Sequence, residues 1–244
     1  AFGSPPGSSY TRSRCLDLVI WGWNINSSST VRRLTTVELN MLNFPLYQRS
    51  VIVGLLLSDG WLSYGSVNHK YPRLGFEQTI RQSHYVWFIY RALAGYCFSL
   101  PRYVNRTRKG TPLTSVTFTT RHLPCLAELY NLFYHNQKKV ICENIYDLLT
   151  PVALAHFIMG DGSAVSGGLR ISTDSFTIIE VVKLINVLIV KYRFKCTLHV
   201  ISGKPRIFIS SKSVKLLKSI VDPYLVPSMK YKLASIVKDK ESRN

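Results

Sequence analysis

Residues 52–60 read IVGLLLSDG and residues 154–162 read LAHFIMGDG. Both stretches are apolar runs that end in a small residue, an aspartate and a glycine. A glycine just past an apolar helix is an ordinary C-terminal cap. An aspartate in the last turn is unusual, because the negative end of the helix dipole disfavours an anion there. Such an aspartate occurs in both stretches, as Asp59 and Asp161, which indicates that it has a function. The alternative is that the two acids merely cap core helices.

The rest of the chain repeats around these two stretches. The aspartates lie 102 positions apart (161 minus 59). Apolar periodicity predicts a motif helix, a strand, a helix, a hairpin and a helix in each half, an order that indicates internal duplication. The first half is predicted to contain helices over 46–58, 83–98 and 124–134, strands over 73–79 and within 61–70, and a hairpin of 102–108 with 113–120. The second half is predicted to contain helices over 150–160, 177–192 and 214–221, a strand over 168–173, and a hairpin of 195–201 with 206–210.

The two motif helices are apolar on all sides, and such helices must be buried on most faces. Gly54 stands in the middle of the first one, where glycine costs about 1 kcal/mol of helix propensity relative to alanine. That cost is reasonable if another backbone must come close at this point. The natural partner is the second motif helix.

The charge balance of the chain points to a polyanionic partner. The 244 residues include 31 Lys and Arg against 13 Asp and Glu, a net charge of +18. Nucleic acid is the first candidate and an anionic membrane the second. The basic residues fall in predicted hairpins rather than on one amphipathic helix, and no apolar run reaches the roughly 18 residues of a membrane span. We therefore expect no membrane partner.

Cysteine usage excludes two other classes. The five cysteines are scattered and odd in number, and no CxxC spacing occurs. Neither a zinc ribbon nor a disulfide framework is indicated, and a reducing compartment fits best.

The paired stretches resemble the two motifs of single-chain LAGLIDADG homing endonucleases of the intron-encoded type. The resemblance runs from about Leu39 to Leu233 and includes the closing segment 222–233, DPYLVPSMKYKL. Against the nine-letter pattern, the first copy keeps Gly54, Leu55, Asp59 and Gly60, and the second keeps Leu154, Ala155, Ile158, Asp161 and Gly162.

The resemblance implies an α+β fold with pseudo-twofold symmetry. Each half would be αββαββα, with the motif helices packed at the centre and two curved antiparallel sheets forming a DNA-binding saddle. We expect an N-terminal half over 39–145 and a C-terminal half over 146–244. Residues 1–38, rich in Ser, Gly and Pro at their start, are expected to be an extension that is loosely ordered or packed on the body.

Two motif helices packed side by side would bring Asp59 and Asp161 together. Two neighbouring carboxylates repel each other, and a divalent cation removes that repulsion. Oxygen ligands of this kind suit Mg²⁺. The resemblance implies two or three Mg²⁺ ions, replaceable by Mn²⁺, with the carbonyls of Ser58 and Gly160 assisting and a water molecule as nucleophile. With one acid per half, each would serve one DNA strand, and the product would be a double-strand break.

Three further side chains fall at positions where the family carries active-site residues. The resemblance places Lys139 and Lys232 as one lysine per half beside the acids, where each would stabilise transition-state charge. It places Gln78 as an active-site amide. The alternatives are a solvated surface lysine in the first case and an ordinary strand contact in the second.

The resemblance also implies that the polar faces of the strands contact DNA, and a two-stranded ribbon fits a major groove. The alternative is a solvated charged face. The expected contacts are Arg73, Arg102, Asn105, Arg106, Arg108, Lys109, Thr117 and Thr119 in the first half, and Arg170, Ser172, Lys195, Thr197, His199, Lys204 and Arg206 in the second.

The sequence therefore predicts a monomeric, site-specific endonuclease that cuts a long asymmetric double-stranded DNA target. An RNA-splicing maturase on the same scaffold, with intron RNA as partner, is the first alternative. A non-catalytic DNA-binding protein is the second, although it would not need both acids. The family's frequent home in organellar introns implies an organelle, the mitochondrion first.

Overall fold

The computed structural model of the chain describes residues 33–108 and 110–233. Most of the expected N-terminal extension, residues 1–32, lies outside the described residues. The described part begins with a short helix, α1 (Thr36–Met41), which starts at a capping box between Thr35 and Glu38.

The first half contains the predicted order of helices and strands. Its motif helix is followed by two strands, a helix, a hairpin and a final helix. These elements are α2 (Leu46–Leu56), β1 (Trp61–Ser63), β2 (Arg73–Thr79), α3 (Ser83–Leu93), β3 (Arg102–Arg108), β4 (Thr111–Thr119) and α4 (Ala127–Phe133). Short 3-10 turns at Ile80–Gln82, Ala94–Tyr96 and Pro124–Leu126 flank the helices.

A short connection leads to the second half. It holds a two-residue hairpin, β5 (Tyr134–His135) with β6 (Lys138–Lys139), and the single-turn helix α5 (Ile145–Leu148). The second half then repeats the order of the first. Its elements are α6 (Pro151–Asp161), β7 (Gly162–Val165), β8 (Gly168–Ser172), α7 (Ile178–Tyr192), β9 (Cys196–Ile201), β10 (Lys204–Ser210) and α8 (Ser211–Val221).

Each half forms one four-stranded antiparallel sheet in the described part of the chain. The strand orders are β1-β2-β4-β3 and β7-β8-β10-β9, which are equivalent. Helix α3 packs on β2 and β4, while α7 and α8 pack on the strands of the second sheet. The predicted α+β fold with two αββαββα halves is confirmed.

Apart from the end of α3, the predicted bounds of the helices lie within three residues of the observed ones. The second motif helix begins as expected, because the Thr150 side chain accepts a hydrogen bond from the Ala153 amide and Pro151 occupies the first turn. The helix predicted over 83–98 ends at Leu93 and continues as a 3-10 turn. Strand β7 and the hairpin of β5 with β6 were not predicted, because two to four residues are too few to show a period.

The motif helices α2 and α6 form the centre of the molecule, and residues 51–56 and 153–159 are buried on all sides. A Cβ atom on Gly54 would lie 2.4 Å from the Ala153 carbonyl oxygen and 2.5 Å from the Cβ of His156. The expectation that Gly54 marks a close approach of the two helices is confirmed. Any side chain at Gly54 would push them apart.

His156 occupies the place of a glycine in the second motif and is fully buried. Its Nδ1 lies 3.0 Å from the Tyr85 hydroxyl of α3. Burial lowers the pKa of His156 to about 3, so the ring is neutral. The histidine therefore joins the second motif helix to the first half of the chain.

Among the described helices, none combines the length and the apolar character that crossing a membrane requires.

Candidate active site and nucleic-acid interface

The two aspartates lie where the motif helices end. Asp59 follows α2 by three residues, and Asp161 is the last residue of α6. A Cβ atom on Gly160 would lie 3.5 Å from Oδ2 of Asp59 and 2.4 Å from Oγ of Ser58. The end of one motif therefore touches the backbone of the other, which brings both acids to one place.

The electrostatics of the site follow from this contact. Burial, and after it the nearby Asp59, raise the pKa of Asp161 to about 7, while Lys232 and Lys139 act in the opposite direction. The pKa of Tyr85 is raised well above its usual value by burial and then by both acids. At Asp161, burial and the second carboxylate outweigh the two lysines, which favours a proton or a cation there.

Lys139 and Lys232 both reach the ends of the motif helices. The Lys139 ammonium donates to the carbonyls of Ser58 at 3.0 Å and Gly60 at 2.7 Å, and the Lys232 ammonium donates to the carbonyl of Gly160 at 2.7 Å. These carbonyls are unpaired acceptors at the helix ends, so a cation is favourable there. Burial lowers the pKa of both lysines, that of Lys139 to about 8, against the raising effect of the acids.

Lys139 reaches its position through the short hairpin that the sequence did not reveal. Asn136 and Gln137 form its turn with positive φ values of 48° and 62°. That turn type brings Lys139 opposite Tyr134, whose hydroxyl accepts a hydrogen bond from the Leu62 amide of β1. The hairpin is thereby fixed to the first sheet, and its last residue points at the acids.

Gln78 is hydrogen-bonded to one of the two acids. Its Nε2 donates to Oδ2 of Asp59 at 2.5 Å. Trp61 and Ser163 each follow a motif aspartate by two residues, and they pair with Gly75 and Arg170 of the next strand. Gln78 and Thr173 each lie three residues after these partners, so Thr173 is the counterpart of Gln78 in the second half. Thr173 is buried and its hydroxyl donates to the Pro205 carbonyl. The two acids therefore have different surroundings.

The donor set has the character of a magnesium site. No group of three or more His, Cys, Asp and Glu residues able to hold a metal occurs among residues 33–108 and 110–233, which leaves the two carboxylates as the anionic ligands. Mg²⁺ is commonly held by one or two carboxylates, with water and substrate phosphates completing its coordination. The Ser58 and Gly160 carbonyls each accept a lysine hydrogen bond and keep a second lone pair. The residues fit the ion.

The first sheet presents a polar face on the side away from its helices. This first polar face consists of Arg73, Glu77, Arg102, Arg106, Thr117 and Thr119. Asn105 lies on the opposite side of β3, paired with Thr114, because side chains alternate along a strand. The expectation that Asn105 shares a surface with Arg106 was wrong.

Two other residues of this face differ from expectation. Thr117 is 6% exposed, and its hydroxyl donates to the Phe76 carbonyl, so its neighbours shield it. Arg106 forms an ion pair with Glu77 at 2.9 Å, a partner that the sequence did not reveal. Lys109 and the side chain of Arg108 lie outside the described residues.

The second sheet brings its expected residues together. The second polar face consists of Arg170, Ser172, Thr197, His199, Lys204 and Arg206, and alternation places Lys195 on the same side. Arg206 forms an ion pair with Asp174 at 3.2 Å. As on the first face, one arginine is held by one acid, and the remaining cations have no carboxylate partner among the ion pairs of the described residues.

Each polar face also carries an aromatic side chain that sequence reasoning missed. Trp61 covers Gly75, where a Cβ atom would lie 2.4 Å from the indole ring, and Phe208 covers Gly168, where it would lie 3.1 Å away. Phe208 also stacks on His199 with ring centroids 4.8 Å apart. The alternation of side chains along a strand could have identified both, because Trp61 and Phe208 occupy positions that point to the same face as the polar residues. An aromatic ring over a glycine strengthens a strand that lacks side-chain contacts there.

Comparison with known proteins gives a consistent result. The model of the LAGLIDADG DNA endonuclease family matches residues 49–217. The cytochrome b mRNA maturase bI2 of Debaryomyces hansenii is 35% identical over 172 residues, 68% of this chain and 66% of that protein. The intron-encoded endonuclease ai4 of Dictyostelium discoideum is 39% identical over 150 residues, 57% of this chain and 92% of that protein.

The chain spans about half, 52%, of the similar maturase bI2 of Saccharomyces cerevisiae, which is 30% identical. Among solved structures, the homing endonuclease I-WcaI bound to its DNA recognition sequence superposes with a TM-score of 0.78 at 25% identity. That match covers 86% of this chain and 98% of the other. With the duplicated fold and its paired motifs, these matches show that the chain belongs to the LAGLIDADG DNA endonuclease family.

Proposed function

We propose that this protein is a site-specific homing endonuclease. It makes a metal-dependent double-strand break in a long asymmetric DNA target by hydrolysing one phosphodiester bond in each strand. The observation that carries this proposal is the meeting of Asp59 with the backbone of Gly160 at the joined helix ends, with Asp161 next in sequence. The likeness to I-WcaI, a homing endonuclease bound to DNA, supports it.

Asp59 and Asp161 are the residues we assign to Mg²⁺, two or three ions, with Mn²⁺ able to substitute. The Ser58 and Gly160 carbonyls assist through their second lone pairs. When bound, the metal supplies hydroxide at neutral pH and stabilises the attacking and leaving oxygens of the phosphodiester.

The chain's own side chains prepare the site for this chemistry. Gln78 donates to Asp59 and so fixes one carboxylate oxygen in place. Lys139 and Lys232, held at the helix ends by carbonyls, place positive charge beside the phosphate as negative charge develops. A fixed charge of this kind stabilises a transition state without reorganisation.

The two polar faces would bind successive major grooves on either side of the scissile phosphates. Their residues differ at equivalent positions: Gly75 of the first sheet corresponds to Arg170 of the second. Because each face would read its own half of the target, the target would be asymmetric. One chain carries both halves, and we propose that it acts as a monomer.

The test is cleavage of a randomised DNA library in Mg²⁺, with Asp59→Asn and Asp161→Asn as matched variants and Ca²⁺ as the metal control. We expect the native chain to cut at one long site. Both variants should lose this cutting and keep DNA binding. Specific binding without cutting in Mg²⁺ or Mn²⁺ would refute the enzymatic proposal and favour a non-catalytic DNA-binding protein.

A maturase activity is the second candidate, because two similar proteins are named as maturases of the cytochrome b mRNA. Its test is splicing of a precursor RNA that contains the host intron, with the aspartate variants beside the native chain. Splicing that survives both substitutions would show a second activity separate from the acids. The same relatives support an organellar location, the mitochondrion first.

A further inference from the structure

A cleft at one end of the first polar face gathers four arginines. It has a volume of about 560 Å³ and is lined by Arg33, Arg73, Arg102 and Arg121, with the ring of Phe98 on one side. No carboxylate occurs among the described residues that line it. Arg33, Arg73 and Arg102 alone place three positive charges around one concave space, which attracts an anion.

The cleft lies away from the acids. Arg73 begins β2 and Gln78, the partner of Asp59, lies five residues further along that strand. At a rise of about 3.3 Å per residue, the two positions are about 17 Å apart. Arg102 lies at the level of Glu77, but it is two strands away from β2, about 10 Å at the usual strand spacing. An anion in the cleft is therefore not the phosphate that is cut.

The shape and chemistry of the lining select the kind of anion. The planar fork of arginine matches phosphate oxygens. The Arg121 guanidinium lies over the Phe98 ring at 5.1 Å, and this contact orients it. Phe98 and Leu100 are 51% and 64% exposed and form an apolar rim, which suits the carbon atoms of a sugar next to the phosphate.

We propose that this arginine cleft binds a backbone phosphate of the DNA target, on the flank of the half-site that the first sheet contacts. Arg33, Arg121 and Phe98 thereby extend the binding surface beyond the residues expected from sequence. The inference rests on the proposed DNA-binding function. A phosphate held here fixes the register of the duplex without reading its sequence.

The test replaces single phosphates of the target by neutral methylphosphonates, one position at a time, and measures affinity in Ca²⁺ so that no cutting occurs. For the native chain, one or two adjacent flank positions should lower affinity by about tenfold. The variant Arg33→Gln/Arg121→Gln should bind the unmodified target more weakly and show no further loss at those positions.

Two additional variants make the result interpretable. Arg33→Gln alone removes an exposed side chain, should leave folding intact, and should lower the salt dependence of binding by about one charge. The control Lys212→Gln/Lys215→Gln removes two exposed charges from α8, which packs on the apolar side of the second sheet. It should keep the full sensitivity to methylphosphonates.

The outcomes separate the two proposals. Specific binding and cutting with a methylphosphonate profile that the arginine variants leave unchanged would overturn the cleft while leaving the endonuclease intact. Absence of specific DNA binding by the native chain would overturn both. Arginine variants that weaken only RNA binding would also overturn the assignment to DNA.

Discussion

Oδ2 of Asp59 lies 3.5 Å from the point where a Cβ atom would stand on Gly160. The two residues belong to different motifs in different halves of the chain. The second motif therefore provides an acid and, at Gly160, the bare backbone against which the first motif packs, and Gly54 provides such a backbone in the first motif. The small residue before each aspartate is needed for the same reason, since Ser58 and Gly160 face each other.

Gly160→Ala should separate the helix ends. Its Cβ would lie 2.4 Å from Oγ and 2.5 Å from Cβ of Ser58, and such overpacking costs about 1–3 kcal/mol of the free energy of unfolding. The cleavage rate should fall by more than the loss of folded protein explains, because the acids move with the helix ends. Chemical denaturation and cleavage rates measure the two effects. The double variant Ser58→Gly/Gly160→Ala should recover activity; a failure to recover with restored stability would contradict this account.

Asp161→Asn should stabilise the metal-free protein at high pH. The folded-state pKa of Asp161 is raised from 3.8 to about 7, so the carboxylate is less favourable in the folded than in the unfolded state. The protonated acid makes its full contribution to the free energy of unfolding below the pKa of the unfolded state, and this contribution is lost as pH rises through about 7. At pH 8 the asparagine variant should be more stable by about 1–2 kcal/mol, allowing for relaxation of the site.

The measurement is urea denaturation with EDTA at pH 4 and at pH 8. The free energies of unfolding of the variant and the native chain should differ little at pH 4. At pH 8, excess Mg²⁺ should make the native chain the more stable of the two. An equal effect at both pH values would contradict the raised pKa.

Gln78→Ala should affect the two DNA strands unequally. Of the two acids, the Gln78 amide donates a hydrogen bond to Asp59, and the hydroxyl of the equivalent Thr173 donates to a backbone carbonyl. Loss of a residue that orients a metal ligand typically costs about 10- to 100-fold in activity. One strand should be cut slowly, so that a nicked product accumulates from a supercoiled plasmid. Thr173→Val is the matched control and should leave both strand rates equal to those of the native chain; equal slowing of both strands by Gln78→Ala would refute the asymmetry.

Lys139→Met should reduce cleavage with little effect on DNA binding in Ca²⁺. The lysine supplies a fixed positive charge at two carbonyls beside the acids, and loss of one such group costs about 100-fold or more in rate. Lys138→Met is the control, because Lys138 is exposed and precedes the site by one residue. Single-turnover kinetics on labelled duplex give the rates. Comparable losses in the two variants would show a general effect of charge.

The sequence predicted those parts of the molecule that depend on local pattern. Gly54 predicted the close approach of α2 and α6, since a glycine lowers helix propensity and is favoured inside a buried helix where a second backbone comes near. The polar face of the hairpin of β9 with β10 was also predictable, because its polar residues occupy alternate positions along each strand and so point to one side. Asn105 was misplaced because it was grouped with its arginine neighbours by proximity in sequence and without regard to strand alternation.

The remaining features depend on contacts between distant segments. The position of Lys139 depends on a two-residue hairpin that has no periodic signal, and on its contact with β1 through Tyr134. The ion pair of Arg106 with Glu77 depends on the register of three strands, and the ion pair of Arg206 with Asp174 depends on the register of β8 with β10. The arginine cleft is formed by four separate segments, around residues 33, 73, 98–102 and 117–122, and no local pattern indicates that they meet.

We propose that Asp59 and Asp161 form one catalytic centre that serves both strands. The most direct test is a strand-resolved cleavage assay on the mapped target, with native chain, Asp59→Asn and Asp161→Asn in Mg²⁺, and binding measured in Ca²⁺. The native chain should make a double-strand break, neither variant should make one, and all three proteins should bind the target tightly. A variant that still breaks both strands at the native rate would contradict the proposal.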